Sequence, residues 1–139
     1  MPPVITAVDT KVRLDIFGAD HAFGPSSKDL LRRGIAEGQL VACAVVWAEV
    51  GAFFPTPMAA REALQRLGVE FSPISLETSL EASRAWRDYR RRGGPRRRVA
   101  ADFLIDAHAL HQADRLLTRD QGFYRTCFKT LAMLDAGSV

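Results

Sequence analysis

Leu40-Val41-Ala42-Cys43-Ala44-Val45-Val46 is the stretch that decides the fold. A strand with one wet face alternates apolar and polar residues, whereas a strand covered on both faces reads as an unbroken apolar run. Strands of that kind belong to parallel sheets with helices on either side. Working outward, Val4-Ile5-Thr6-Ala7-Val8 is a second short, largely β-branched run, and Arg115–Thr118 and Thr130–Leu134 read as two further strands. Val69–Ile74 alternates weakly and contains Pro73, which has no N–H to give to a ladder, so this segment is expected at an edge.

Helical signals separate these strands. Ser26 or Ser27 can cap a helix carrying Leu30, Leu31 and Ile35, with Gly38 as its stop. The run Leu40–Val46 is expected to pass into a helix that ends at Pro55. Thr56-Pro57 opens another, stopped by Gly68, because proline suits the first helical position. Ser75 begins a longer helix through Leu76, Leu80, Trp86 and Tyr89, ended by Gly93-Gly94-Pro95. Ala100–Ala113 is apolar around most of its circumference and must be deeply buried. Short helices are expected over Thr10–Phe17 and Gln121–Cys127, with a loop over Gly18–Pro25. Strands alternating with helices predict an α/β fold, a three-layer α/β/α sandwich with a central parallel sheet. The 139 residues suit one domain spanning positions 1–139.

No apolar run approaches the length of a membrane span, and Met1-Pro2-Pro3 leads into the first strand with no signal-peptide pattern. Cys43 and Cys127 lack metal-ligand spacing and read as thiols of a reducing compartment, so a cytoplasmic protein is expected. The net charge of +3 is unevenly spread. Arg90-Arg91-Arg92-Gly93-Gly94-Pro95-Arg96-Arg97-Arg98 holds six arginines, and without them 13 basic residues face 16 acidic ones. Such a patch suits a polyanion. It suits equally a solvated loop at a helix C-terminus, where cations are favourable anyway.

Four acids stand where a carboxylate is hard to explain by solvation. Asp9 ends the first strand run, and Asp120 follows Leu116-Leu117-Thr118 by two residues. Glu49 and Asp102 lie inside the apolar segments Val45–Phe54 and Val99–Leu110. Ligands of open parallel sheets bind outside the carboxyl ends of the strands, which places Asp9 and Asp120 on that edge. Glu49 follows Val46 by three residues and precedes Phe53 by four, so it is expected along the core-facing stripe. Asp102 occupies the first turn of the buried helix. If the four meet, their repulsion calls for a cation, and a divalent metal is the natural one. That chemistry is metal-dependent hydrolysis of a phosphate ester. Each position also has an ordinary account: a turn Asp, a satisfied buried Glu, a capping Asp and a loop Asp.

Asp106, four residues after Asp102, shares its helix face and is a candidate supporting group. The hydroxyls of Thr10 and Thr118 neighbour the acids and can orient them. His108 and His111 lack a third ligand at zinc spacing, so hydrogen-bonded histidines at a helix surface are expected. Arg119, with Arg96, Arg97 and Arg98, is a candidate contact for RNA phosphate or an acidic partner.

With these residues in place, the chain resembles a PIN-domain ribonuclease, specifically a VapC-type toxin of a bacterial toxin–antitoxin pair. Val8-Asp9-Thr10 resembles the first acidic motif, Val46-Trp47-Ala48-Glu49-Val50 the helix with its glutamate, and Ala101-Asp102-Phe103-Leu104-Ile105 with Ala107-His108-Ala109-Leu110 the third motif. Leu116-Leu117-Thr118-Arg119-Asp120-Gln121-Gly122-Phe123-Tyr124 resembles the fourth and is the most specific. Each motif is short; their order and spacing together are specific. The resemblance implies a Mg2+- or Mn2+-dependent endoribonuclease with Asp9, Glu49, Asp102 and Asp120 as its acids. It implies a homodimer, neutralised by an antitoxin whose C-terminal segment enters the active-site groove. Lys11 and Arg13 depart from the family pattern by placing positive charge after the first motif, and Asp106 by its acidity.

Two rival functions fit parts of the sequence. An aspartyl-nucleophile phosphatase also places an Asp after the first strand, but usually needs a second two residues on, where Lys11 stands. A non-catalytic module binding nucleic acid or a protein would keep the arginines without needing four acids.

Overall fold

Five strands, all parallel, build the centre of the computed structural model, which describes residues 2–12, 24–95, 99–118, 127–128 and 130–135. They are β1 (Val4–Val8), β2 (Gly38–Cys43), β3 (Val69–Ser72), β4 (Arg115–Thr118) and β5 (Met133–Asp135), in the spatial order β3-β2-β1-β4-β5. Five described helices connect them: α1 (Gly24–Glu37), α2 (Ala44–Gly51), α3 (Pro57–Arg66), α4 (Leu76–Arg91) and α5 (Ala100–Gln112). Backbone at 10–12 is also helical, as expected from Thr10 onward.

The strand order dictates the layers. The chain steps from β1 to β2 to β3 in one direction, then crosses back over the sheet to β4. Parallel crossovers are right-handed, so helices α1–α3 cover one face and α4–α5 the other. This is the α/β/α sandwich that the unbroken apolar runs require. Thr6, Ala7 and Val8 are buried, as are Leu40–Cys43 and Leu116–Thr118. The second layer of core forms where α4 meets α5. Phe103 is completely buried, with the rings of Tyr89, Trp86 and Phe128 centred 5.4, 6.1 and 6.4 Å away.

Several boundaries follow the sequence closely. Thr56 caps α3, its hydroxyl accepting from the Ala59 amide at 3.1 Å, and Ser75 caps α4 by accepting from the Thr78 amide at 3.1 Å. β3 is an edge strand, as its pattern and Pro73 predict. Two expectations need correction. The β2 strand ends at Cys43 and α2 begins at Ala44 without a loop, so Val45 and Val46 are helical. Helix α1 starts at Gly24, ahead of the expected serine caps, and Ser27 is buried within it. As expected, α1 stops before Gly38, which opens β2, where a Cβ would lie 2.2 Å from the Val4 carbonyl oxygen. Of the expected Gln121–Cys127 helix only Cys127 is described, and of the expected Gly18–Pro25 loop only Gly24 and Pro25, which are helical instead.

Candidate active site

β1 is the switch point of the sheet: the connection after it leads one way to β2, while β4 lies on its other side. A crevice at the carboxyl ends of such strands is the usual ligand site of an open parallel sheet. Asp9 sits there, immediately after β1, and its amide donates to the Leu117 carbonyl at 3.1 Å. The residue is only 5% exposed. Oδ1 accepts from the Lys11 amide at 2.7 Å, and Oδ2 accepts from the Thr118 hydroxyl at 2.7 Å. A buried carboxylate held by two donors keeps one orientation at the sheet edge.

Glu49 is reached through the residue next to Asp9. The Thr10 hydroxyl donates to Glu49 Oε1 at 2.8 Å, so two of the four acids are one residue and one hydrogen bond apart. Glu49 itself is exposed, contrary to the core-facing position read from its spacing. Val46 and Val50 form the buried stripe of α2, and the helix stops at Gly51, leaving Phe53 beyond it and 56% exposed. Glu49 therefore lies off the stripe, where a carboxylate stays hydrated and accessible.

Asp102 has a visible structural role. Its Oδ2 accepts from the Val99 amide at 2.9 Å, closing the first turn of α5, and its charge suits the positive end of the helix. Val99 has no side-chain acceptor, so this carboxylate does the capping from three residues inside. Asp106, one turn on, is buried, 1% exposed. Asp120 lies outside the described residues, as do Arg96, Arg97, Arg98 and Arg119. Among the described residues, no three His, Cys, Asp or Glu side chains form a group that could hold a metal ion.

Two further groups narrow the chemistry. Cys43 ends β2 on the same edge, and burial pushes its thiol above the usual range, which disfavours the thiolate. His108 is buried, not at the helix surface as expected, and its Nε2 pairs with the Ser72 hydroxyl at 2.8 Å. Burial lowers its pKa and keeps the ring neutral. The flanking Ala107 and Ala109, both buried, were the signal of that environment. The larger described cleft, about 930 Å3, is mainly apolar, and none of the three described acids Asp9, Glu49 and Asp102 lines it. It opens between α2, α3 and β3 beside the stacked Trp47 and Phe71.

Over residues 6–129 the sequence matches the family model described as PIN domain. The chain belongs to the PIN domain family. Comparison with curated proteins gives no match. Among solved structures, this PIN domain is similar to VapBC2 from Rickettsia felis bound to a DNA fragment from their promoter. There the TM-score is 0.74 at 15% identity, covering 94% of this chain and 98% of that one. VapBC-1 from nontypeable Haemophilus influenzae gives 0.70 at 17% identity, over 95% and 98% of the two chains. A toxin–antitoxin complex from Klebsiella pneumoniae gives 0.68 at 19% identity, over 96% and 99%. At such identities these likenesses speak for the fold of the PIN domain. No described helix is long and apolar enough to cross a membrane.

Proposed function

We propose that this PIN domain is a divalent-metal-dependent endoribonuclease, the toxin of a toxin–antitoxin pair, with Asp9, Glu49, Asp102 and Asp120 as its acids. The observation that carries the proposal is the fixed, buried Asp9 at the switch point, with Glu49 tied to the adjoining Thr10. The family match supports it, as does the likeness to VapBC2 and to a toxin–antitoxin complex.

The donor chemistry fits Mg2+ or Mn2+. Asp9, Glu49 and Asp102 offer only carboxylate oxygen, which suits a hard cation, and Asp9 is buried where added positive charge is most valuable. These three, with Asp120, would hold the ion. When bound, it supplies charge compensation at the scissile phosphate and a lowered pKa for water. The rest falls to the chain. Thr118 fixes Asp9, Thr10 draws Glu49 towards it, and Asp102 is held at the head of α5 by the Val99 amide. Exposed Glu49 marks the open side through which RNA would enter.

A homodimer in the cytoplasm, silenced by an antitoxin that reaches the acidic edge, completes the proposal. The test is cleavage of a structured RNA by the purified, antitoxin-free protein. Mg2+ or Mn2+ should support it, EDTA should abolish it, and duplex DNA should be a poor substrate. Hydrolysis of small phosphomonoesters with RNA left intact would favour the phosphatase. RNA binding with no cleavage under any metal would favour the non-catalytic module.

A further inference from the structure

We propose that the charged cleft along α4 is a groove for the sugar–phosphate backbone of single-stranded RNA, with Arg91 and Arg92 as its phosphate contacts. This rests on the ribonuclease reading and adds to it a binding surface away from the four acids. The cleft, about 560 Å3, lies between α4, Leu110 of α5 and the segment holding Phe128 and Thr130. That volume exceeds what one inorganic anion fills and suits a nucleotide unit.

Its charges divide into a satisfied group and an unsatisfied one. Arg84 is bound to Glu81 and, at 3.0 Å, to Asp88, and these three side chains together leave one net negative charge, which Arg91 and Arg92 outweigh. The same pairing holds the Glu81 carboxyl below its usual range and raises the Arg84 guanidinium. Arg91 is exposed and has no carboxylate partner among the described residues. Arg92 donates from Nε to the Asp88 carbonyl at 3.4 Å, and its Nη2 lies 3.8 Å from Cys127 Sγ. Neither neighbour neutralises it. Arg90, by contrast, lies over the Trp86 ring at 4.9 Å and is not among the cleft residues. Two guanidinium groups without a carboxylate partner, beside the apolar Leu110 and Phe128, leave the cleft one net positive charge and match a backbone whose phosphates alternate with sugars and bases.

The position favours RNA over an acidic peptide. Arg91 and Arg92 finish α4 in the turn after Tyr89, which packs edge-on against Phe103 at 5.4 Å, next to Asp102. The Tyr89 hydroxyl also donates to the Pro95 carbonyl at 2.7 Å, tying this end of α4 to the connection that leads into α5. A strand lying in the cleft thus leaves it beside the helix that carries one of the acids.

The test is binding of a twelve-nucleotide oligouridylate to the whole protein in EDTA, where cleavage cannot interfere, over a series of salt concentrations. Wild type should bind, and R91A/R92A should weaken binding on the order of tenfold and lower the salt slope by about 1.4. R87A, an exposed arginine of the same helix outside the cleft, should change neither. If the alanine pair does not fold, R91Q/R92Q replaces it. Equal binding by wild type and the pair, with RNA cleavage intact, overturns the groove and spares the ribonuclease reading. So does an equal loss in R87A. Loss of decaglutamate binding with oligouridylate binding unchanged would overturn it in favour of an acidic protein partner. Failure of the wild type both to bind and to cleave RNA would take down both.

Discussion

Among the described residues Asp9 accepts from two donors of different kinds, the Lys11 amide and the Thr118 hydroxyl, and these bear on how substitutions there should behave. Asparagine can keep both bonds, its oxygen accepting from Lys11 and its amide donating to Thr118, whose hydroxyl turns round. Asp9→Asn is therefore expected to keep its thermal midpoint while RNA cleavage falls below detection. Thr118→Val keeps the shape but removes the donor from a fully buried site. It should cost about 1–3 kcal/mol in denaturant titrations and roughly 10- to 100-fold in cleavage. His108 supplies a pH dependence. Burial lowers its pKa, so between that value and the ordinary 6.5 the unfolded chain binds the extra proton. Its contribution is complete above about pH 6.5 and is lost as pH falls below that. Melting curves from pH 7 to 5 should show falling stability, with a shallower slope in His108→Gln. An equal slope in both proteins would assign the acid loss elsewhere.

The elements show where the sequence was legible and where it was not. β1, β4 and the caps of α3 and α4 were readable because each rests on local chemistry: a β-branched run, a hydroxyl before a helix, a proline at its first turn. The β2–α2 junction was not, since a strand and a helical turn that are both buried present the same apolar residues. Helix α4 misleads by size. Leu76 and Leu80 are 70% and 62% exposed, while Thr78, Ala82 and Ala85 are buried. Small side chains let α4 lie close against α5, so the larger ones point away. Gly38 follows the last residue of α1, as its reading as a helix stop predicts, and the backbone nearest its missing Cβ belongs to Val4, across the β1–β2 ladder. Gly38→Ala should cost about 1–3 kcal/mol by forcing the strands apart, and a melting curve like that of wild type would contradict this.

At the scale of the whole molecule, the sheet order sets the function proposed. Right-handed crossovers in both directions from β1 leave its carboxyl end in a crevice, and the sequence puts Asp9 at that end and Thr118 at the end of β4. That edge could be read from the position of the acids after strand runs. Whether the carboxylates converge could not, because convergence depends on side-chain direction: Glu49 proved exposed and Asp102 engaged at its own helix start. The described acids do not by themselves form a metal-binding group, so the proposal requires a cation to draw them together with Asp120. Crystals of the antitoxin-free protein soaked in Mn2+, with anomalous diffraction recorded at the manganese edge, test this most directly. The account predicts a peak at the carboxyl end of β1, within ligand distance of Asp9 and at least one of Glu49, Asp102 and Asp120, and its loss in Asp9→Asn. No peak at that edge at saturating Mn2+, or a peak only elsewhere on the molecule, would contradict it.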